Sequence, residues 1–82
     1  MLDDIGGIIR FHRKKSGLTQ LQLARLAGIG KAAVYDMEHT TKSTRMDTLL
    51  KVFNVLNIQI KLESPIMKDY EEQKHEASES VR

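Results

Sequence analysis

The side chains of this sequence that could do chemistry are cations, hydroxyls and amides rather than nucleophiles with their bases. There is no cysteine, so the chain has neither a disulfide framework nor a thiolate metal site, and it suits a reducing cytoplasm. No glycine-rich phosphate loop and no cluster of carboxylates is present, which excludes the commoner patterns of phosphoryl transfer and acid–base catalysis. His12, His39 and His75 share no metal-ligand spacing. No catalytic residue, metal or cofactor is expected. Lys31, Ala32, Tyr35 and Asp36 instead form a group: at helical spacing they share the side away from Val34 and Met37. A lysine so placed donates to guanine O6 and N7, and an alanine touches a thymine methyl. That chemistry becomes the reading of base edges, with Tyr35 and Asp36 as further base contacts, if the surrounding elements set this helix in a DNA groove.

Reading bases requires a rigid mount, and the flanking residues describe one. Thr19 precedes an apolar-periodic run and has Gln22 three residues on, a reciprocal capping box at a helix start. Leu23, Ala24 and Ala27 recur at helical spacing, and Gly28 ends the run where a left-handed residue closes a helix. Gly30 falls at the N-cap of a second helix, a position glycine tolerates well. Two short helices around a glycine-containing turn are the helix-turn-helix unit, whose second helix lies in the DNA major groove.

With Thr19, Gln20, Leu23, Ala24, Gly28, Ile29, Val34 and Glu38 in place, residues 5 to 58 resemble the Cro/phage-repressor (XRE) family of DNA-binding domains. The resemblance implies backbone contacts to DNA from Thr19, Gln20, Gly30 and His39 and from the turn residues Lys42, Ser43, Thr44 and Arg45. Helix-terminal amides would assist the last group. An ordinary solvated turn stays open as the alternative for that stretch. The resemblance also implies a structural ion pair between Arg13 and Glu38, fixing the first helix against the end of the recognition helix. Such a pair sets orientation more than it adds net stability, because desolvation offsets much of the attraction.

The remaining sequence supplies the scaffold. Residues 3 to 16 read as a first helix, with Asp3 and Asp4 at its positive end and Arg13, Lys14 and Lys15 at its negative end. The Gly6-Gly7 pair, at about 1 kcal/mol each against alanine, weakens its first turn. Ile5, Ile9 and His12 mark the inward face, with His12 read as a half-buried side chain rather than a ligand. Thr44, with Asp47 at the reciprocal position, is the expected cap of a fourth helix, and Met46, Leu49, Leu50, Phe53 and Leu56 its core face. Ile58 to Leu62 alternates apolar and polar and reads as one β-strand. A lone strand needs a partner, so the same strand of a second chain is expected to pair with it, with Ile58, Ile60 and Leu62 forming the dimerisation face. The expected fold is all-α, a compact bundle of four to five helices with one C-terminal strand paired across a dimer. A repressor domain followed by such a strand narrows the resemblance to the HipB-type antitoxins.

Charge divides the chain in the same place. Residues 1–62 form the DNA-binding domain and carry ten Lys/Arg against five Asp/Glu, whereas residues 63–82 carry three against six. The basic body suits a polyanion as well as it suits a plain solvated surface, so the motif decides; the acidic tail does not belong on DNA. Its composition favours disorder or a weak helix starting after Ser64-Pro65, and both a solvating tail and a partner-binding segment with Ile66 and Tyr70 as anchors stay open. No apolar run approaches the ~18 residues of a membrane span, and Met1 to Ser16 does not read as a signal peptide. Four aromatic residues offer little for stacking single-stranded RNA. The expected protein is cytoplasmic and non-enzymatic: a sequence-specific repressor that binds a palindromic duplex operator as a homodimer. By the resemblance, it is the antitoxin of a HipBA-like operon, autoregulating transcription and neutralising a HipA-like serine/threonine kinase toxin. The alternatives are a phage-type or metabolic repressor without a toxin, and a protein-interaction module alone.

Overall fold

The computed structural model describes residues 4–39 and 44–80, with side chains as far as residue 75. Five helices follow one another: α1 (Ile5–Lys15), α2 (Gln20–Ala27), α3 (Lys31–His39), α4 (Met46–Leu56) and α5 (Met67–Ser80). Helix α3 packs against α1 and α2, and α4 closes the bundle against the same two helices. Ile9, Leu23, Ala24, Val34, Met37, Leu49, Val52, Phe53 and Leu56 are buried between them. Ile5, Leu18, Ala27, Ile29, Val55 and Ile58 pack around this centre.

Local chemistry explains most of the helix ends. The Gln22 amide donates to Thr19 Oγ1 at 3.1 Å, and the Thr19 amide donates to Gln22 Oε1 at 2.8 Å, so the capping box satisfies two orphan donors at the start of α2. Gly28 (φ 71°) takes the left-handed conformation that ends it. The Gly30 carbonyl then accepts from Ala33 and Val34, so α3 begins at Lys31, three residues after Gly28. Helix α1 starts at Ile5, after an Asp4 whose side chain makes no capping hydrogen bond. Gly6 is buried, and a Cβ built on it would lie 2.8 Å from the backbone oxygens of both Met37 and Glu38. The glycine that weakens α1 is what lets α1 touch the end of α3.

Three expectations are corrected. Thr44 is not the cap of α4: Arg45, with extended backbone (φ −70°, ψ 145°), occupies that position and makes no side-chain cap. Starting one residue late, the helix takes its early satisfaction from Asp47, whose carboxylate accepts from the Thr48 amide at 2.8 Å. Met46 and Leu50 are exposed, at 63% and 47%, while Val52 is fully buried. The inward stripe runs through Leu49, Val52, Phe53 and Leu56; Leu50 lies round from it, and Met46 stands at the helix's first residue, outside the packed stretch.

The third correction is the strand. No strand occurs among the described residues, and 58–62 carries no regular structure. Asn57 turns left-handed (φ 58°), and the Ile58 amide donates to the Phe53 carbonyl at 2.9 Å. The first apolar residue of the alternation is thereby used to finish α4 and pack on the core, while Ile60 and Leu62 stay exposed. A strand is defined by hydrogen bonds to a neighbouring strand, and there is no second strand among the described residues to supply them. The acidic tail, in contrast, is helical: α5 begins two residues after Pro65, its first amide donating to the Ser64 carbonyl at 3.2 Å. Helix α5 is absent from the packed helix pairs. It lengthens the molecule to 47 × 27 × 24 Å with a radius of gyration of 16.3 Å, against ~12 Å for a compact chain of this length.

Candidate nucleic-acid interface

Helix α3 is held by its back. Val34 and Met37 are fully buried, which fixes its rotation and leaves Lys31, Ala32, Tyr35 and Asp36 exposed together on the other side. Gly30 is exposed immediately before this face. A shallow groove of about 170 Å³, lined by Ala33, Asp36, Met37, Thr44, Arg45 and Thr48, sets the start of α4 beside α3. Thr44 and Arg45 are thus brought next to the exposed face, whereas Lys42 and Ser43 lie outside the described residues. Arg45 also pairs with Asp47 at 3.3 Å, an exposed contact of the kind worth ~0–1 kcal/mol.

The far end of α3 is clamped by charge. Arg13 Nε donates to Glu38 Oε2 at 2.6 Å and its Nη2 to Oε1 at 3.0 Å, a two-point guanidinium–carboxylate contact. The Arg13 Nη1 donates to the Leu18 carbonyl at 2.9 Å, tying in the α1–α2 turn. Gln20 Nε2 donates to Glu38 Oε1 at 3.3 Å, so α2 joins as well. The Glu38 side chain is 1% exposed and that of Arg13 10%. Burial alone would raise the Glu38 carboxyl; hydrogen bonds from Arg13 and Gln20, with the charges of Arg13 and Arg10, outweigh it and hold the group below the usual carboxylate range. The Arg13 guanidinium is pushed above its ordinary value, chiefly by its hydrogen bond to Glu38.

Three residues expected on the DNA backbone make contacts within the protein. Half-buried Gln20 gives one amide hydrogen to Glu38. Thr19 uses its hydroxyl oxygen in the capping box and keeps its O–H to donate. His39 lies against Tyr35, ring centroids 3.9 Å apart and planes 20° from parallel. The part of Gln20 in the clamp, and that of the Leu18 carbonyl, is invisible in sequence, since both depend on where α1 and α3 meet. Among the described residues no His, Cys, Asp and Glu group is placed to hold a metal ion.

A helix-turn-helix family model matches residues 9–62. This chain belongs to the helix-turn-helix family. That family is a DNA-binding, non-enzymatic class whose second helix enters the major groove. The helix-turn-helix chain is similar to an uncharacterized HTH-type transcriptional regulator, y4mF, of Sinorhizobium fredii: 32% identical over 62 residues, covering 76% of this chain and 82% of the relative. In fold it is similar to a complex of HipB with an O2 20mer, with TM-score 0.72 and 23% identity over 79% of this chain and 90% of that one. A HipA-HipB-O2-O3 complex matches with the same TM-score and identity, covering 79% of this chain and 92% of the other. At this identity the likeness is one of fold. Among the described residues no helix is long and apolar enough to cross a membrane.

Proposed function

We propose that this helix-turn-helix protein is a sequence-specific repressor that binds palindromic duplex DNA as a homodimer. The observation that carries the reading is the exposed row Lys31, Ala32, Tyr35 and Asp36 on a helix whose buried side and clamped end fix its orientation. In this reading Lys31 donates to a guanine and Ala32 meets a thymine methyl. Thr19, Gly30, Thr44 and Arg45, with Lys42 and Ser43, lie along the phosphates, and Gln20 offers its second amide hydrogen there. Ile60 and Leu62, exposed beyond the core, supply apolar surface for the second copy. The likeness of fold to HipB in a complex with HipA supports a role as the antitoxin of a kinase toxin, which would be encoded beside it.

The test is selection from a randomised duplex library by the full chain, followed by Lys31→Ala. Loss of a base contact costs ~1 to 3 kcal/mol and relaxes preference at one base pair. Equal weakening on the selected and on scrambled duplexes would make Lys31 a phosphate contact instead. A chain that enriches no duplex sequence at all would sink the repressor reading. Failure to bind a kinase encoded in the same operon would remove the antitoxin role and leave the repressor standing.

A further inference from the structure

We infer that His39 is a positioning residue for Tyr35: it holds the Tyr35 ring in one orientation on the recognition helix rather than touching a phosphate itself. The inference rests on the reading of α3 as the helix that contacts bases. Tyr35 and His39 stand one helical turn apart, the spacing at which side chains on one face meet. Their rings stack at 3.9 Å, and His39 Nδ1 lies 2.8 Å from the Tyr35 carbonyl oxygen. A carbonyl oxygen only accepts, so Nδ1 donates this hydrogen bond and is spent within the protein. With Nδ1 on the Tyr35 carbonyl and one ring face on the Tyr35 ring, His39 is committed to Tyr35 more than to the backbone contact that the family resemblance implies.

What the ring can do follows from its two constraints. The hydrogen bond to Tyr35's own carbonyl and the stack against Tyr35's ring together fix the imidazole plane, and that plane is a platform. Tyr35 is 51% exposed and has two side-chain torsions to order before its hydroxyl can meet a base edge. A side chain already held in one rotamer loses less freedom on binding, and it presents its hydroxyl to one place. The stack thus converts an exposed tyrosine into a directed base contact. Preference at one base pair, more than overall affinity, is what depends on it.

The experiment uses the full chain, the duplex enriched from a randomised library, and all single-base variants of that duplex, each measured over a series of salt concentrations. Tyr35→Ala identifies the base pair that Tyr35 reads. His39→Ala is expected to flatten preference at that same pair by on the order of five- to tenfold, with the salt dependence of binding unchanged. His39→Phe, which keeps the stack without Nδ1, should restore most of that preference, and His39→Ala should add nothing in a Tyr35→Ala background. In DNA-free protein the Tyr35 ring protons should be shifted upfield by the stacked ring in wild type and lose that shift in His39→Ala. An unshifted Tyr35 ring in wild type overturns the inference without any DNA. So does an equal loss on every duplex accompanied by a salt slope smaller by about one, the signature of a phosphate contact. Unchanged preference at every base pair in His39→Ala overturns it as well. If Tyr35→Ala leaves all preferences intact, Tyr35 reads no base and the inference falls, while enrichment of a defined duplex keeps the repressor reading.

Discussion

At the scale of single residues, Arg13 and Glu38 carry more consequence than any other described pair, because their charges are buried and meet at two points. Glu38→Ala would leave the Arg13 cation buried without its counterion, at a cost of about 3–5 kcal/mol. Set against the ~5–15 kcal/mol that holds a typical domain folded, this should bring the chain close to unfolding, and urea denaturation would measure it. The pH dependence has a definite sign. Glu38 is held below the usual carboxylate range in the folded protein, so the stability it contributes is fully present above the ordinary glutamate value of ~4.3 and is lost as pH falls through the lowered folded value. Acid unfolding should accordingly steepen below about pH 4. In Glu38→Gln that part of the acid dependence should vanish, and equal acid midpoints in the two proteins would show that the clamp is not what acid breaks.

Helix α1 shows how an element can invert a residue's ordinary preference. Glycine inside a helix costs about 1 kcal/mol against alanine, so each of Gly6→Ala and Gly7→Ala should stabilise on propensity alone. The tertiary surroundings separate them. At Gly6 the added Cβ meets two backbone oxygens of α3 at 2.8 Å, which cannot move without shifting the helix, whereas at Gly7 it meets the Asp4 side chain at 3.0 Å. Asp4 is exposed and its side chain makes no capping bond, so it can turn aside. Gly6→Ala should destabilise by about 1–3 kcal/mol, and Gly7→Ala should stabilise by about 0.5–1 kcal/mol. Thermal melts of the two variants that shift in the same direction would contradict this account of how α1 meets α3.

Over the whole molecule, the helical body and α5 behave as separable parts. The core lies in α1 to α4, and α5 adds length without joining the packed pairs. Ending the chain after Ser64 should therefore leave the thermal midpoint of the body nearly unchanged; a fall of many degrees would mean that α5 packs where the structure shows it free of the core. The dimer is the second whole-molecule expectation. Two copies of α3 can read half-sites about one helical turn, ~34 Å, apart only if their separation is fixed. Ile60→Lys places a charge on exposed apolar surface outside the folded core, so it should leave the monomer's fold intact while shifting sedimentation toward a single chain. A stable dimer in this variant would put the interface elsewhere.

Residue order alone determined the helix-turn-helix unit, because its signals are local: Thr19 and Gln22 cap each other, Gly28 ends a helix, and Val34 and Met37 recur at helical spacing. Those features act within one or two turns of chain, so spacing is enough to read them. The Arg13 to Glu38 pairing was legible through resemblance to a family, but Gln20 as its third member was not, since that contact exists only once three helices have converged. Gly6 reads in sequence as a defect, and only the approach of α1 to the carbonyls of Met37 and Glu38 makes it a requirement. The alternation from Ile58 to Leu62 is present in sequence, yet tertiary structure decided its outcome: Ile58 gains a hydrogen bond and a place on the core by ending α4, and a strand in one chain has nothing to pair with. Local capping is decided by neighbours along the chain, whereas burial, close backbone approach and strand pairing are decided by whatever the rest of the molecule brings alongside.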